Sequence, residues 1–201
     1  MQYLKDEIRS NIIAAALMEF KEKGYKDSSV RTIAAHAGVA IGNVYRYFKN
    51  KDELFNTIIE PVYTKFTSMV FDSYQTQNNQ VAIHLITEDI VTIIMDFYSR
   101  YQTELMIMID KSQGSKYEDI KDELIRLINY RIKMELIPIL KEKGASVDLD
   151  DFSYVISASF VEGIFIVLRK YSETDKIKEL FEQLLVVYFD DFYRRFQYLI
   201  K

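Results

Sequence analysis

The residues from Ser29 to Lys51, SVRTIAAHAGVAIGNVYRYFKNK, hold the chemistry that this chain can offer to a large charged partner. Arg31, Arg46, Lys49 and Lys51 are four cations with no Asp or Glu among them, interleaved with Asn43, Tyr45 and Tyr47. Cations neutralise phosphates, while Asn and Arg carry the donors and acceptors that match base edges in a DNA major groove. On a helix starting at Ile41, at about 100° per residue, Val44 and Phe48 fall on one side and Gly42, Asn43, Arg46 and Tyr47 on the other. Ile41 suits a thymine methyl, Gly42 lets a backbone come close, and Asn43 and Arg46 suit base edges. Tyr45, Tyr47, Lys49 and Lys51 suit phosphates. Arg31, early in a preceding helix, can reach a base or a phosphate, and Ser29 with the amides beside it suits a phosphate.

Such a surface needs three short helices held at fixed angles. From about Leu4 to Lys23, Ile8, Ile12, Ile13, Ala16, Leu17 and Phe20 share one helical side, with Asp6, Arg9, Glu19 and Glu22 placed mostly on the other. Gly24 is the expected stop. Ser28 or Ser29 caps a second helix that turns Val30, Ile33, Ala34 and Ala37 inward. Gly38 permits a tight turn, and Ile41 to Phe48 form the third helix. The pair over residues 29–48 reads as a helix-turn-helix. Asn50 and Glu53 make a capping-box variant for a fourth helix running toward Tyr74, and Pro61 inside the pattern leads to an expected kink near Glu60 or a frayed first segment.

The remainder is helical by the same periodicity. A polar loop at Gln75 to Gln80 precedes a helix from about Val81 to Tyr101, a shorter one spans Thr103 to Lys111, and the chain breaks at Ser112-Gln113-Gly114-Ser115. One long helix is expected from Tyr117 to Lys143, bent at Pro138 and closed by Gly144. Helices over Leu149 to Tyr171 and Thr174 to Leu199 complete an all-α fold of about nine helices. The expected division is a DNA-binding domain over residues 1–50 and a second, helical domain over 51–201.

Charge supports that division. The 201 residues carry a net charge of −4, yet residues 1–51 hold nine Lys or Arg against five Asp or Glu, and residues 52–201 hold seventeen against twenty-five. A basic module joined to an acidic one points to a polyanion partner for the first alone. With no cysteine, a disulfide framework, thiol catalysis and cysteine-ligated metals are excluded. His36 and His84 are far apart in sequence, so no metal site and no cofactor are expected. No phosphate-binding glycine loop or catalytic pairing of acids points to an enzyme. Lys5, Asp6, Glu7 and Arg9 interrupt any secretory h-region, and the apolar run from Phe152 to Leu168 is shorter than the roughly 20 residues that cross a bilayer, so a cytoplasmic protein without membrane contact is expected.

Phe20, Gly24-Tyr25, Ser29-Val30-Arg31, Ile33-Ala34, Ala37-Gly38-Val39, Gly42-Asn43-Val44-Tyr45, Tyr47-Phe48 and Lys51-Asp52-Glu53-Leu54-Phe55 together resemble the DNA-binding domain of the tetracycline-repressor (TetR) family of transcription regulators. The resemblance covers about residues 6–66. It implies a homodimer on a pseudo-palindromic double-stranded operator, with contacts from Ser29, Arg31, Ile41, Gly42, Asn43, Tyr45, Arg46, Tyr47 and Lys51. Where members often place Ser at the start of the recognition helix, this chain has Ala40, which brings no capping oxygen.

Beyond residue 66 the resemblance extends only to a general plan of ligand cavity and dimer interface, which implies an effector-binding and dimerisation role for the helical domain over 51–201. Met69, Tyr98, Met106, Met108, Tyr130 and Met134 have the adaptable side chains of an apolar cavity. Glu162, inside an apolar stretch, is expected to pair with a cation, accept from a hydroxyl or meet a cationic ligand. Ala158, Ser159 and Gly163 allow close helix approach, and with Leu184, Tyr188 and Phe192 they form the expected dimer surface. The function expected is a regulator, a repressor released from its operator by a small apolar or amphipathic ligand. The alternative is a DNA-binding structural or division-related protein of the same fold without an effector.

Overall fold

The computed structural model describes residues 2–72, 88–142 and 149–189, and among them there are nine α-helices and no strand. They are α1 (Gln2–Asp27), α2 (Val30–His36), α3 (Ile41–Tyr47), α4 (Lys51–Asp72), α5 (Glu88–Asp110), α6 (Ile120–Arg131), α7 (Ile137–Glu142), α8 (Leu149–Lys170) and α9 (Thr174–Phe189). The expected loop at Gln75 to Gln80, the helix start at Val81, His84, Gly144 and everything past Phe189, Phe192 included, lie outside the described residues. The chain forms two compact units, one of Met1–Gln75 with Arg100–Glu118, the other of Thr76–Ser99 with Asp119–Lys201. Helix α5 serves both: it leaves helical geometry at Tyr101 (φ −127°, ψ 23°), next to the changeover at residue 100. The break expected there is therefore a single non-helical residue inside one run.

In the second unit α8 packs between α6 and α9. The single helix expected from Tyr117 to Lys143 is instead three pieces: α6, a π-helical turn at Ile132–Leu136, and α7. Pro138 supplies the reason. Its ring displaces the carbonyl four residues back and it has no N–H to donate, so the register widens just before it, and the Ile137 N–H bonds to the Ile132 oxygen, five residues away. Pro61 has no comparable effect, and α4 runs through it as one element.

Helix α8 is apolar enough over Asp151–Lys170, with a mean hydropathy of 1.6, to cross a membrane by length and composition. Its polar groups are those of a bundle helix. The Ser153 hydroxyl donates to Asn129 Oδ1 of α6 at 2.7 Å, Ser157 Oγ donates to the Ser153 carbonyl, and Glu162 pairs with Lys121 of α6. The two aromatic rings of α9 that close over Phe160, Tyr188 and Phe189, lie 5.5 and 4.9 Å from it.

In the first unit, Ile12, Ala16 and Phe20 of α1 meet Ile33 and Ala34 of α2, Val44 of α3, Phe48 just after it, and Leu54, Phe55 and Ile59 of α4, all buried. Phe55 is the centre of an aromatic group: the Phe20 ring meets it edge-on at 4.8 Å, Tyr25 at 4.8 Å and Tyr117 at 6.0 Å. The segment after α5 is bound into the same unit. Tyr117 and Lys116 both donate to the Glu60 carboxylate of α4, and these two donors, Lys116 foremost, hold its carboxyl below the usual range.

Gly24 does interrupt α1, but with φ 75° and ψ 173° it is in an extended positive-φ region open essentially to glycine alone, not in a left-handed helical cap. That turn aims the Tyr25 N–H at the Lys111 carbonyl, 2.7 Å away. A Cβ on Gly24 would sit 3.2 Å from the same oxygen. Gly24→Ala therefore carries both a backbone and a steric penalty, and urea titration should show a loss of about 1–3 kcal/mol. An unchanged midpoint and slope would rule out this close approach.

Candidate nucleic-acid interface

The helix-turn-helix rests on a polar junction between α1 and α2. Ser29 occupies the N-cap position of α2 with extended backbone (φ −124°, ψ 123°), but its hydroxyl makes no capping bond. Ser28 does not cap either: its hydroxyl donates back to the Tyr25 carbonyl at 2.8 Å. The Ser29 N–H instead donates to Glu19 Oε1 at 3.1 Å, and Glu19 is buried. The assignment of Glu19 to the outer face of the first helix is thus corrected. Ile12, Ala15, Ala16, Glu19 and Phe20 follow the i, i+3, i+4, i+7, i+8 spacing of one helical face, the signal that could have placed it inward. A carboxylate already holds the amide that was expected to greet a phosphate at Ser29.

Lys51 is similarly engaged. Its ammonium donates to the carbonyls of Tyr25 (2.7 Å), Lys26 (3.2 Å) and Ser28 (3.2 Å), and lies 4.6 Å from the centre of the Tyr25 ring. All three of its donors are directed at the end of α1. The Tyr25 hydroxyl donates to Asp52, and burial followed by this bond pushes the phenol up to about 12. Tyr25 and Asp52 were not singled out as partners from sequence. The cap of α4 also differs in detail: the Glu53 N–H donates to Asn50 Oδ1 at 2.8 Å, while the Glu53 carboxylate accepts from the N–H of Lys49, not Asn50.

The turn between α2 and α3 closes as expected at Gly38. With φ 67° there, the Gly38 N–H reaches the Ala35 carbonyl at 3.1 Å and the Val39 N–H reaches that of Ala34 at 3.0 Å, the paired bonds of a Schellman motif. Ala40 starts α3 without a side-chain cap, and the Asn43 N–H bonds to its carbonyl at 2.8 Å. Val44 and Phe48 are buried, and Arg9 of α1 lies 5.4 Å over the Phe48 ring. That leaves Ile41, Gly42, Tyr45 and Arg46 exposed on α3, with Asn43 and Tyr47 half-buried. Arg31, Arg46 and Lys49 are exposed too, and among the described residues no carboxylate pairs with any of the three. Several cations elsewhere are paired, Lys116 with Glu60, Lys121 with Glu162 and Lys176 with Glu179. On the α2–α3 segment and just after it, the unpaired Arg31, Arg46 and Lys49 lie close together in sequence with no acid between them.

The residues expected to line a ligand cavity are distributed over both units. Met69 and Met106 lie half-buried in the first; Tyr98 is buried in the second, where Tyr130 and Met134 are more than half exposed. Residues so exposed do not form the core of their own unit. Glu162 takes the first of its expected roles: Lys121, and Arg169 at 3.8 Å, pair with it and hold its carboxyl below the ordinary range. Of the expected dimer residues, Ser159 is exposed, while Ala158, Gly163, Leu184 and Tyr188 are half-buried. Leu184 packs on Gly163 within the chain, where an added Cβ would come within 3.2 Å of it.

A helix-turn-helix that presents Arg46, Asn43 and Tyr45 from its second helix, with Arg31 and Lys49 unpaired beside it, defines a DNA-binding regulator. The family of bacterial regulatory proteins named tetR matches over residues 12–58, the segment that holds the helix-turn-helix. It is 22% identical over 149 residues, 74% of this chain and 78% of the relative, to IcaR, the HTH-type negative transcriptional regulator of the biofilm operon icaADBC in Staphylococcus epidermidis. It is 26% identical over 96 residues to the probable HTH-type transcriptional regulator YttP of Bacillus subtilis, a match that spans 48% of this chain and only 44% of that relative. The fold is also that of a TetR-like transcriptional regulator from Rhodococcus sp. RHA1, with a TM-score of 0.60 over 89% of this chain and 93% of the other at 18% identity.

Tyr25 sets a pH limit on the junction. Its phenol, ordinarily near 10, is raised to about 12, so the folded state favours the protonated form. The stability this contributes is complete below pH 10 and is lost as pH rises through 12. In Tyr25→Phe, chemical denaturation between pH 10 and 12 should show a shallower decline than in the parent; identical declines would mean that Tyr25 does not govern alkaline stability.

Proposed function

We propose that this protein is a homodimeric repressor that places α3 of each subunit in a major groove of a pseudo-palindromic operator. The observation that carries the reading is the set of unpaired, exposed cations Arg31, Arg46 and Lys49 around a recognition helix whose apolar residues Val44 and Phe48 are already buried. Negative regulation is the role printed for the Staphylococcus epidermidis relative and supports repression. Two recognition helices entering successive grooves must lie about 34–36 Å apart, which a symmetric pair of subunits provides.

The dimer surface suggested by exposure is displaced from the small-residue stripe read in the sequence. Val155 and Ile166 on α8 are 55% and 51% exposed, Tyr154 is comparably exposed, and Val186 and Val187 continue the apolar surface on α9. Apolar area of this kind on two adjacent helices suits an isologous four-helix contact. Release by a small apolar or amphipathic ligand fits the two-unit use of α5. Its first part belongs to the second unit, while the Lys111 carbonyl just beyond its end accepts from Tyr25 beneath the helix-turn-helix. A cytoplasmic location follows from this role.

Operator sequences enriched from a random duplex library test the reading. Binding should weaken steeply with salt; Lys49→Ala should reduce the slope of log K against log [salt] by about 1, and Arg46→Ala should cost about 1–3 kcal/mol of operator affinity and relax specificity at one position of each half-site. No salt-dependent binding to any duplex would refute operator recognition. Val155→Glu with Ile166→Glu should convert the dimer to monomer in light scattering, and a dimer that persists would place the interface elsewhere.

A further inference from the structure

The stretch from Ser29 to Lys51 has no acid in its sequence, but the fold brings one to it. Glu19 of α1 is 4% exposed, and its carboxylate accepts from the Ser29 N–H at 3.1 Å. Met18, the residue before it, is 69% exposed. A buried methionine beside an exposed carboxylate is the lower-energy arrangement, and this chain has the reverse. Among the described residues no Lys or Arg forms an ion pair with Glu19; the charge of Glu19 reaches Lys23, one turn along α1, but the Lys23 ammonium is bonded to Glu22 at 2.8 Å. The Ser29 N–H requires an acceptor oxygen, which an uncharged side chain would also supply. The hydrogen bond therefore accounts for the oxygen and not for the charge.

What the charge does follows from where it lies. Ser29 immediately precedes α2, and Arg31, exposed and unpaired, stands in the first turn of that helix. A phosphate drawn to Arg31 meets a fixed negative charge behind the start of α2, and a buried charge is screened far less than an exposed one. Resting on the operator-binding reading above, we infer that Glu19 is a built-in counter-charge, a buried carboxylate that weakens operator binding by repelling the DNA backbone at the start of α2. It holds the affinity conferred by Arg31, Arg46 and Lys49 at a level from which the protein can be released. The opposite end of the segment supplies a contrast. There the Lys49 N–H donates to Glu53 at 2.6 Å, but Glu53 is exposed, so water and salt screen it. The repulsion belongs to the buried acid.

Glu19→Gln keeps an oxygen for the Ser29 N–H and removes the charge, which makes the sign of the effect decisive. Measured on the operator enriched with the parent protein, this variant should bind about threefold more tightly per half-site, about tenfold for a symmetric dimer, with its salt slope unchanged because no phosphate contact is gained. A residue that only held α2 in place would give the opposite sign, since loosening α2 weakens binding. Met18→Glu should change affinity by less than about twofold, because a carboxylate in water at the neighbouring position is screened. Melting temperatures confirm that each variant is folded. Where glutamine at the buried site prevents folding, Glu19→Leu replaces it and should bind at least as tightly as the parent, although the Ser29 hydrogen bond is lost. A folded Glu19→Gln with parental or weaker affinity overturns the inference, as does a folded Glu19→Leu that binds more weakly than the parent where the glutamine variant does not fold. So does a loss in Met18→Glu as large as the gain in Glu19→Gln, which would make net charge alone responsible. A parent protein that binds no duplex at all fails the regulator reading itself, a result distinct from these, and the present inference falls with it.

Discussion

Where the chain reverses between α1 and α2 it must satisfy a set of backbone groups in very little space, and the rest of the first unit is arranged around that requirement. The turn at Gly24 leaves the carbonyls of Tyr25, Lys26 and Ser28 at the end of α1 and the amide of Ser29 at the start of α2. Unpaired, a buried carbonyl such as that of Tyr25 or Ser28 would cost about 1–3 kcal/mol. Lys51 reaches back from the start of α4 to all three carbonyls, Glu19 takes the amide, and Lys111 accepts from the N–H of Tyr25. Among the described residues no buried side-chain donor or acceptor lacks a partner. One cation, one carboxylate and one distant carbonyl thus fix the direction of α2, and the bonds at Gly38 pass that direction on to α3.

This arrangement separates the positively charged residues by task. Lys51 and Arg9 serve the interior of the domain, the first at the junction and the second over Phe48. Arg31, Arg46 and Lys49 have no such engagement and remain open to a phosphate or a base. Sequence alone could not separate the two groups, because a lysine two residues past Lys49 looks the same whether it points at DNA or at its own backbone. The difference lies in the turn at Gly24, after which the carbonyls of Tyr25, Lys26 and Ser28 all accept from Lys51.

The legible parts of this fold were those with a local cause. The inward pair Val44 and Phe48, the glycine turn at residue 38 and the order of the helices all follow from periodicity and from φ requirements within a few residues. The Glu19 bond to Ser29, the Tyr25 bond to Asp52 and the Lys111 bond to Tyr25 join residues 10, 27 and 86 positions apart, and no spacing rule reports such pairings. The π-turn at Ile132–Leu136 was hidden for another reason. Proline announces that a helical hydrogen bond is lost, but whether the helix bends, widens or continues is decided by what packs around it, and Pro61 and Pro138 gave different answers. In the second unit Glu162 offered three readings from sequence, and only the arrival of Lys121 from α6 chose among them.

The proposed release from DNA has a mechanical constraint in α5. A helix whose two parts belong to different compact units yields most easily where its hydrogen-bond ladder is already interrupted, and here that point is Tyr101. The hydroxyl of Tyr101 accepts from Lys65 of α4, and the far end of α4 supplies Lys51 to the junction that orients the recognition helix. The stretch after Tyr101 leads to Lys111, which holds the same junction from its other side. Both routes from the break in α5 therefore converge on the Gly24–Ser29 turn. Because hydrogen bonds hold the junction from both sides, a displacement of either support would bear on the turn that sets the direction of α2. Two recognition helices that must keep a spacing of about 34–36 Å do not tolerate a reorientation of α2.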